Sequence, residues 1–278
     1  MPHVQLDGRE IYIETFGSPD DVPLVLVNGL TSQMTSWPAE FCEAFVDRGF
    51  FVVRFDNRDT GLSTVFPADA KYTLSDMADD AAGIIEHLGI APAHIMGLSM
   101  GGMIVQVLAA ERPELVASMT SMAATTGNPD FGTSTPEAVA ALMLPAPTNR
   151  AEAAANGIAG KRIWGTPDTW NEEEWAKFCG DNYDRSHPEG SGERQYAAIV
   201  ASGNRDEQVA TISVPSLIIH GAIDDLINVT GGRHTASLIE GSRYLEIEDL
   251  AHDIPMIEWP QLVEAVTSLA ASTAGASR

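Results

Sequence analysis

The feature that most constrains the fold is a set of short, almost uninterrupted apolar runs rich in β-branched residues. "PLVLVNG" from Pro23, "FFVVRFDN" from Phe50, "AHIMGLS" from Ala93 and "PSLIIHG" from Pro215 are all of this kind. A strand with one wet face alternates apolar and polar residues, and these runs do not. They read as strands buried on both faces of a parallel sheet. Helical patterns lie between them, at roughly Trp37 to Arg48, Ser75 to near Gly89, and about Met100 to Arg112. Ser75 reads as an N-cap, with Asp76 and Asp79 in the first turns behind it. A further strand is expected over Val116 to Met122. "IYIETFG" from Ile11 alternates instead, as a half-exposed strand paired with the segment around Val4 to Leu6.

The pattern changes after Thr125. From Gly127 to about Arg205 there are turn clusters and helix-like stretches but no buried strand, and Trp164, Trp170 and Trp175 fall here. The buried-strand signal returns at Pro215. A helix near Thr230 to Glu240, the strand "SRYLEIED" and a last helix from about Pro255 follow. The tail Ala271 to Arg278 is small and polar and is expected to fray. Two alternating β/α stretches around a helical insert predict an α/β fold. It has a mostly parallel central sheet, helices on both faces and an inserted helical cap. Residues 1–126 and 206–278 are expected to form the core domain and 127–205 the cap.

Composition narrows the partners. The chain has 278 residues, 44% of them apolar, enough for one sizeable core. A net charge of −23 repels phosphate backbones and anionic lipid, so neither nucleic acid nor a membrane surface is expected as a partner. The two cysteines, Cys42 and Cys179, form no CxxC pair, which argues against a disulfide scaffold or a cysteine zinc site. No leader-like segment opens the chain and no apolar run is long enough to span a bilayer, so a cytoplasmic location is expected. No cofactor and no metal are expected, because no HExxH or clustered ligand set is visible. A homo-oligomer is left open.

In open parallel sheets, functional groups collect at the carboxyl ends of the strands. Ser99 follows "AHIMGL" at once and opens a helix, between Gly97 and Gly101. A tight strand-to-helix turn there exposes its hydroxyl. A serine needs a base to become a nucleophile. Of the seven histidines, only His252 lies on a loop at the same sheet edge, after the last strand. His94 and His220 fall in strands and read as structural. The base needs a carboxylate partner. "HGAIDDLIN" offers Asp224 first and Asp225 as its competitor, with Asp253 a weaker one. Backbone N–H groups of Leu30 and Met100 are the expected oxyanion donors. Met34 and Trp164 are the candidate substrate contacts, and "ALMLPAP" could line an apolar pocket. For any one tryptophan, packing of cap onto core is the competing reading.

With these residues in place, the chain resembles the α/β-hydrolase superfamily over essentially its whole length. The matching pieces are "NGLTSQMTSW", "RFDNRDTGLS", "GLSMGG", "HGAIDDLIN" and "AHDIP", in the family's order of nucleophile, acid and base. "FDNRDTGLST" together with "GLSMGG" is similar to the methylesterase-like branch typified by aclacinomycin methylesterase. One departure is Asn28-Gly29, where the family often has His-Gly; the backbone donor survives the change. The resemblance implies a serine carboxylesterase or lactonase acting on a small hydrophobic ester, with Ser99, His252 and Asp224 as its triad. Alternatives are carbon–carbon bond hydrolysis or perhydrolysis by the same triad, or a non-catalytic ligand-binding protein on this fold. Asp56, Arg58 and Asp59 are expected to form a charged turn that braces the loop near the site.

Overall fold

A computed structural model of the protein describes residues 3–274. The chain opens with β1 (His3–Leu6) and β2 (Arg9–Phe16), an antiparallel hairpin that joins the sheet through β4. Then come β3 (Val22–Val27), α1 (Ala39–Val46), β4 (Phe50–Phe55), α2 (Leu74–Leu88), β5 (Ala93–Leu98), α3 (Met100–Glu111) and β6 (Val116–Met122). Helices α4 (Pro136–Leu142), α5 (Arg150–Trp164), α6 (Glu172–Arg185) and α7 (Ser191–Ser202) follow, then the short α8 (Asp206–Val209). The chain closes with β7 (Ser216–Gly221), α9 (Thr230–Leu238), β8 (Arg243–Ile247) and α10 (Trp259–Ala274). Residues 275–278 of the tail expected to fray lie outside the described residues; Ala271 continues α10.

The sheet has eight strands in the order β1-β2-β4-β3-β5-β6-β7-β8 and is parallel from β4 to β8. The continuous apolar runs have a simple physical cause. Side chains alternate between faces along a strand, and here both faces are covered. Val25, Val27, Val53 and Ile95 pack on the side of α2 and α3. Leu24, Leu26, Val52 and Met96, from the same strands, pack on the side of α1 and α10. Helix α3 is buried from Met100 through Ala109, which explains why it lacks a polar face.

One boundary differs from the sequence expectation. Helix α2 is capped by Thr73, not Ser75. The Thr73 hydroxyl accepts from the Asp76 N–H, and the Asp76 carboxylate accepts the Thr73 N–H at 2.8 Å. This reciprocal pair satisfies two donors at once, which a cap at Ser75 could not do with Asp79 a turn further on. Ser75 instead donates to Glu111. Helices α4, α5 and α6 begin where capping side chains stand. Thr135, Asn149 and Asn171 accept from the N–H groups of Ala138, Glu152 and Glu174. The "ALMLPAP" stretch is largely solvent-facing, with Met143 63% and Leu144 41% exposed.

Candidate active site

Ser99 stands where β5 ends and α3 begins, with φ 58° and ψ −122°. A non-glycine residue in this region costs on the order of 1–3 kcal/mol and persists only when its surroundings enforce it. The flanking glycines show the enforcement. A Cβ on Gly97 would lie 2.1 Å from the Gly101 carbonyl oxygen, and one on Gly101 would lie 2.1 Å from that of Val27. The turn is therefore wedged between its own helix and the neighbouring strand. The loop after β3 passes beside it: a Cβ on Gly29 would sit 3.2 Å from Ser99 Cβ and 3.8 Å from its Oγ. Leu30 follows on that loop, half-buried against the core. Met100 is the first residue of α3, where backbone N–H groups have no intrahelical acceptor.

His252 and Asp224 meet at the same edge of the sheet. His252 Nδ1 lies 2.6 Å from Asp224 Oδ2. A carboxylate only accepts, so Nδ1 carries a proton, and in the neutral ring Nε2 keeps its lone pair. That Nε2 is buried and has no hydrogen-bond partner among the described residues, the Ser99 hydroxyl included. Asp224 is 2% exposed, and its other oxygen accepts from the N–H groups of Leu226 at 2.9 Å and Ile227 at 2.8 Å. Burial alone would raise the Asp224 carboxyl. His252 and His220 outweigh it and hold the group well below the usual carboxylate range. The competitors face elsewhere. Asp225 is exposed, and its backbone carbonyl accepts from Thr135. The Asp253 carboxylate accepts from Lys161 and Thr166.

His220 is the residue that reading by strand position understated. It does satisfy a structural bond, since its Nε2 donates to the Ile227 carbonyl at 2.7 Å. The same nitrogen also stands 3.5 Å from Asp224 Oδ2, so two imidazoles approach the same carboxylate oxygen. The four-residue spacing from His220 to Asp224 across a strand end was the available signal. His94 is structural as expected, with Nδ1 2.7 Å from the Ser118 hydroxyl.

The remaining expected residues are placed as follows. Met34 is 5% exposed, and its N–H donates to Asp56 at 2.7 Å. Trp164 is half-buried, and its carbonyl accepts the His252 N–H at 2.9 Å. Trp175 packs within the inserted helices, donating to the Gly157 carbonyl at 3.0 Å. The charged turn is a brace of wider reach than expected. Asp56 also accepts from Arg185 on α6, Arg58 pairs with Asp80 on α2, and Asp59 pairs with Arg194 on α7. Gln195 went unnoticed in the sequence; it is fully buried and accepts the Thr31 N–H at 2.8 Å. A cavity of about 420 Å³ near Lys161, Gly165 and Trp170 includes none of Ser99, Leu30 or Met100 in its lining.

A parallel sheet with a strained serine turn after one strand, and an imidazole–carboxylate pair on loops after two others, defines a hydrolase-type architecture. The chain belongs to the α/β-hydrolase fold family, whose model matches residues 22–258. It is related to esterase and lactonase members of that superfamily. Rhodomycin D methylesterase DauP of a Streptomyces species is 28% identical over 94% of each chain. The 3-oxoadipate enol-lactonase 2 of Acinetobacter baylyi is 28% identical over 91% of each. Among solved structures, the enol-lactonase from Burkholderia xenovorans superposes with a TM-score of 0.74 at 25% identity, covering 99% of this chain and 100% of that one. Identities at this level relate the chain to the group without assigning it to one branch.

Proposed function

We propose that the protein is a serine hydrolase that cleaves a carboxylic ester or lactone of a small hydrophobic molecule. The observation that carries the proposal is the 2.6 Å contact from His252 Nδ1 to Asp224, with Nε2 left without a hydrogen-bond partner among the described residues. Ser99 Oγ attacks the ester carbonyl while His252 Nε2 takes its proton. Asp224 holds the tautomer and stabilises the imidazolium. Backbone N–H groups of Leu30 and Met100 receive the oxyanion. The tetrahedral intermediate collapses, the C–O bond breaks, and the imidazolium returns its proton to the leaving alcohol. Water then attacks the acyl-enzyme through the same base and releases the acid. No cofactor enters the scheme. Residues 127–205 act as a cap over the site, with Met34 and Trp164 near the acyl group. Similarity to a methylesterase and to enol-lactonases supports an oxygen ester over other acyl compounds.

Burst kinetics with a short p-nitrophenyl ester test this reading, on the wild type and on Ser99→Ala. A burst followed by steady turnover, lost in the variant, is the expected result. Turnover that survives in Ser99→Ala refutes it.

A further inference from the structure

Asp224 fixes one ring atom of His252 from the core side. A ring held at one atom can still swing if its backbone shifts, and the His252 backbone is held by the inserted helices. Its N–H donates to the Trp164 carbonyl at 2.9 Å. The N–H of the preceding residue, Ala251, donates to the Thr166 hydroxyl at 3.0 Å. The carboxylate of the following residue, Asp253, accepts from the Thr166 N–H at 3.1 Å, from the Thr166 hydroxyl and from Lys161 Nζ. Three consecutive residues of the loop are thus tied to the end of α5 and the turn behind it. On the opposite side the loop rests on β7, where a Cβ on Gly221 would lie 2.1 Å from the Leu250 carbonyl oxygen.

Lys161 is 8% exposed and Asp253 9%. The Lys161 ammonium also lies 4.4 Å from the centroid of the Trp175 ring, so it is held from two sides. A buried ion pair adds little net stability, because desolvation of both charges offsets their attraction. What it does supply is a fixed geometry, and here that geometry belongs to the residue next to the base.

We propose that Lys161, Thr166 and Asp253 form a positioning clamp that sets His252 from outside the core, so that turnover depends on contacts made by the inserted helices. This rests on the serine-hydrolase reading above. Thr166 is the centre of the clamp, since one hydroxyl accepts from Ala251 and donates to Asp253.

The test uses the full chain with Thr166→Val, Thr166→Ser and Lys161→Met. It measures kcat and KM on a p-nitrophenyl ester and the rate of Ser99 labelling by a fluorophosphonate, with thermal unfolding as the check on folding. The clamp predicts that Thr166→Val and Lys161→Met lose about 10- to 100-fold in kcat and labelling rate, as expected for a misplaced base. KM stays near the wild-type value, and Thr166→Ser, which keeps the hydroxyl, stays close to wild type. If Thr166→Val does not fold, Lys161→Met carries the comparison. Unchanged kcat in a folded variant, a loss confined to KM, or an equal loss in Thr166→Ser would each overturn the clamp. An unlabelled, inactive wild type would instead overturn the serine-hydrolase reading itself.

Discussion

The guanidinium of Arg185 donates to the carboxylate of Asp56 across 2.7 Å, joining an inserted helix to the loop that leaves β4. The other oxygen of that carboxylate accepts the Met34 N–H at 2.7 Å, on the loop that leaves β3. One buried acid therefore connects α6, the sheet edge and the segment carrying Leu30. Gln195 on α7 repeats the arrangement, bridging the Thr31 N–H to the Arg58 carbonyl and the Thr60 hydroxyl. The inserted helices are wired into the site.

This wiring makes Gln195 testable. Gln195→Leu removes the acceptor for a Thr31 N–H that has positive φ and sits next to Leu30. Leaving a buried donor unsatisfied costs roughly 1–3 kcal/mol. Urea unfolding should show that loss, and kcat should fall more than KM rises because the expected oxyanion donor loses its neighbour's anchor.

The carboxylate assignment predicts a sharp contrast between adjacent residues. Asp224→Asn removes the charge that fixes the His252 tautomer and should lower kcat by about 10⁴-fold. Asp225 is exposed and has no contact with the imidazole, so Asp225→Asn should leave kcat unchanged. Steady-state kinetics on the two variants decide between them.

The serine turn should tolerate no side chain at Gly101. The Val27 carbonyl that a Cβ would meet at 2.1 Å is held in the sheet and cannot yield cheaply. Gly101→Ala should destabilise the protein by about 1–3 kcal/mol, typical of overpacking, and slow fluorophosphonate labelling of Ser99. Denaturant titration and labelling kinetics check the two effects separately.

Acid should weaken the fold in two separable windows. Burial pushes the His94 imidazole down to about 4 from its ordinary 6.5. Between those values the unfolded chain binds the proton and the native one does not, so stability rises with pH there and falls on acidification. The effect reaches about 3 kcal/mol for a shift of this size. Asp224, held below its ordinary 3.8, contributes stability above that value, lost as the pH falls further. His94→Gln should therefore flatten the melting temperature between pH 6.5 and pH 4.5, and leave the loss at lower pH in place.

Much of the architecture was legible because its cause is local. Burial on both faces forces the apolar runs of β3, β4, β5 and β7, and the rule that loops at carboxyl edges carry function picks out Ser99, Asp224 and His252. The cap of α2 was misplaced by two residues because Thr73 and Ser75 are both good caps. Which of them closes a reciprocal pair with Asp76 depends on where the chain enters the helix.

By itself, then, the sequence determined the α/β alternation, the serine turn and the order of the candidate triad, since each follows from neighbours along the chain. Only the tertiary structure decided which groups hold those residues in place. Lys161 and Asp253 are 92 residues apart, and Gln195 and Thr31 are 164 apart. A lone polar side chain on a helix carries no sign of its distant partner. That partner exists only once the helices have packed and water has been excluded, when a buried polar group left without a bond is costly.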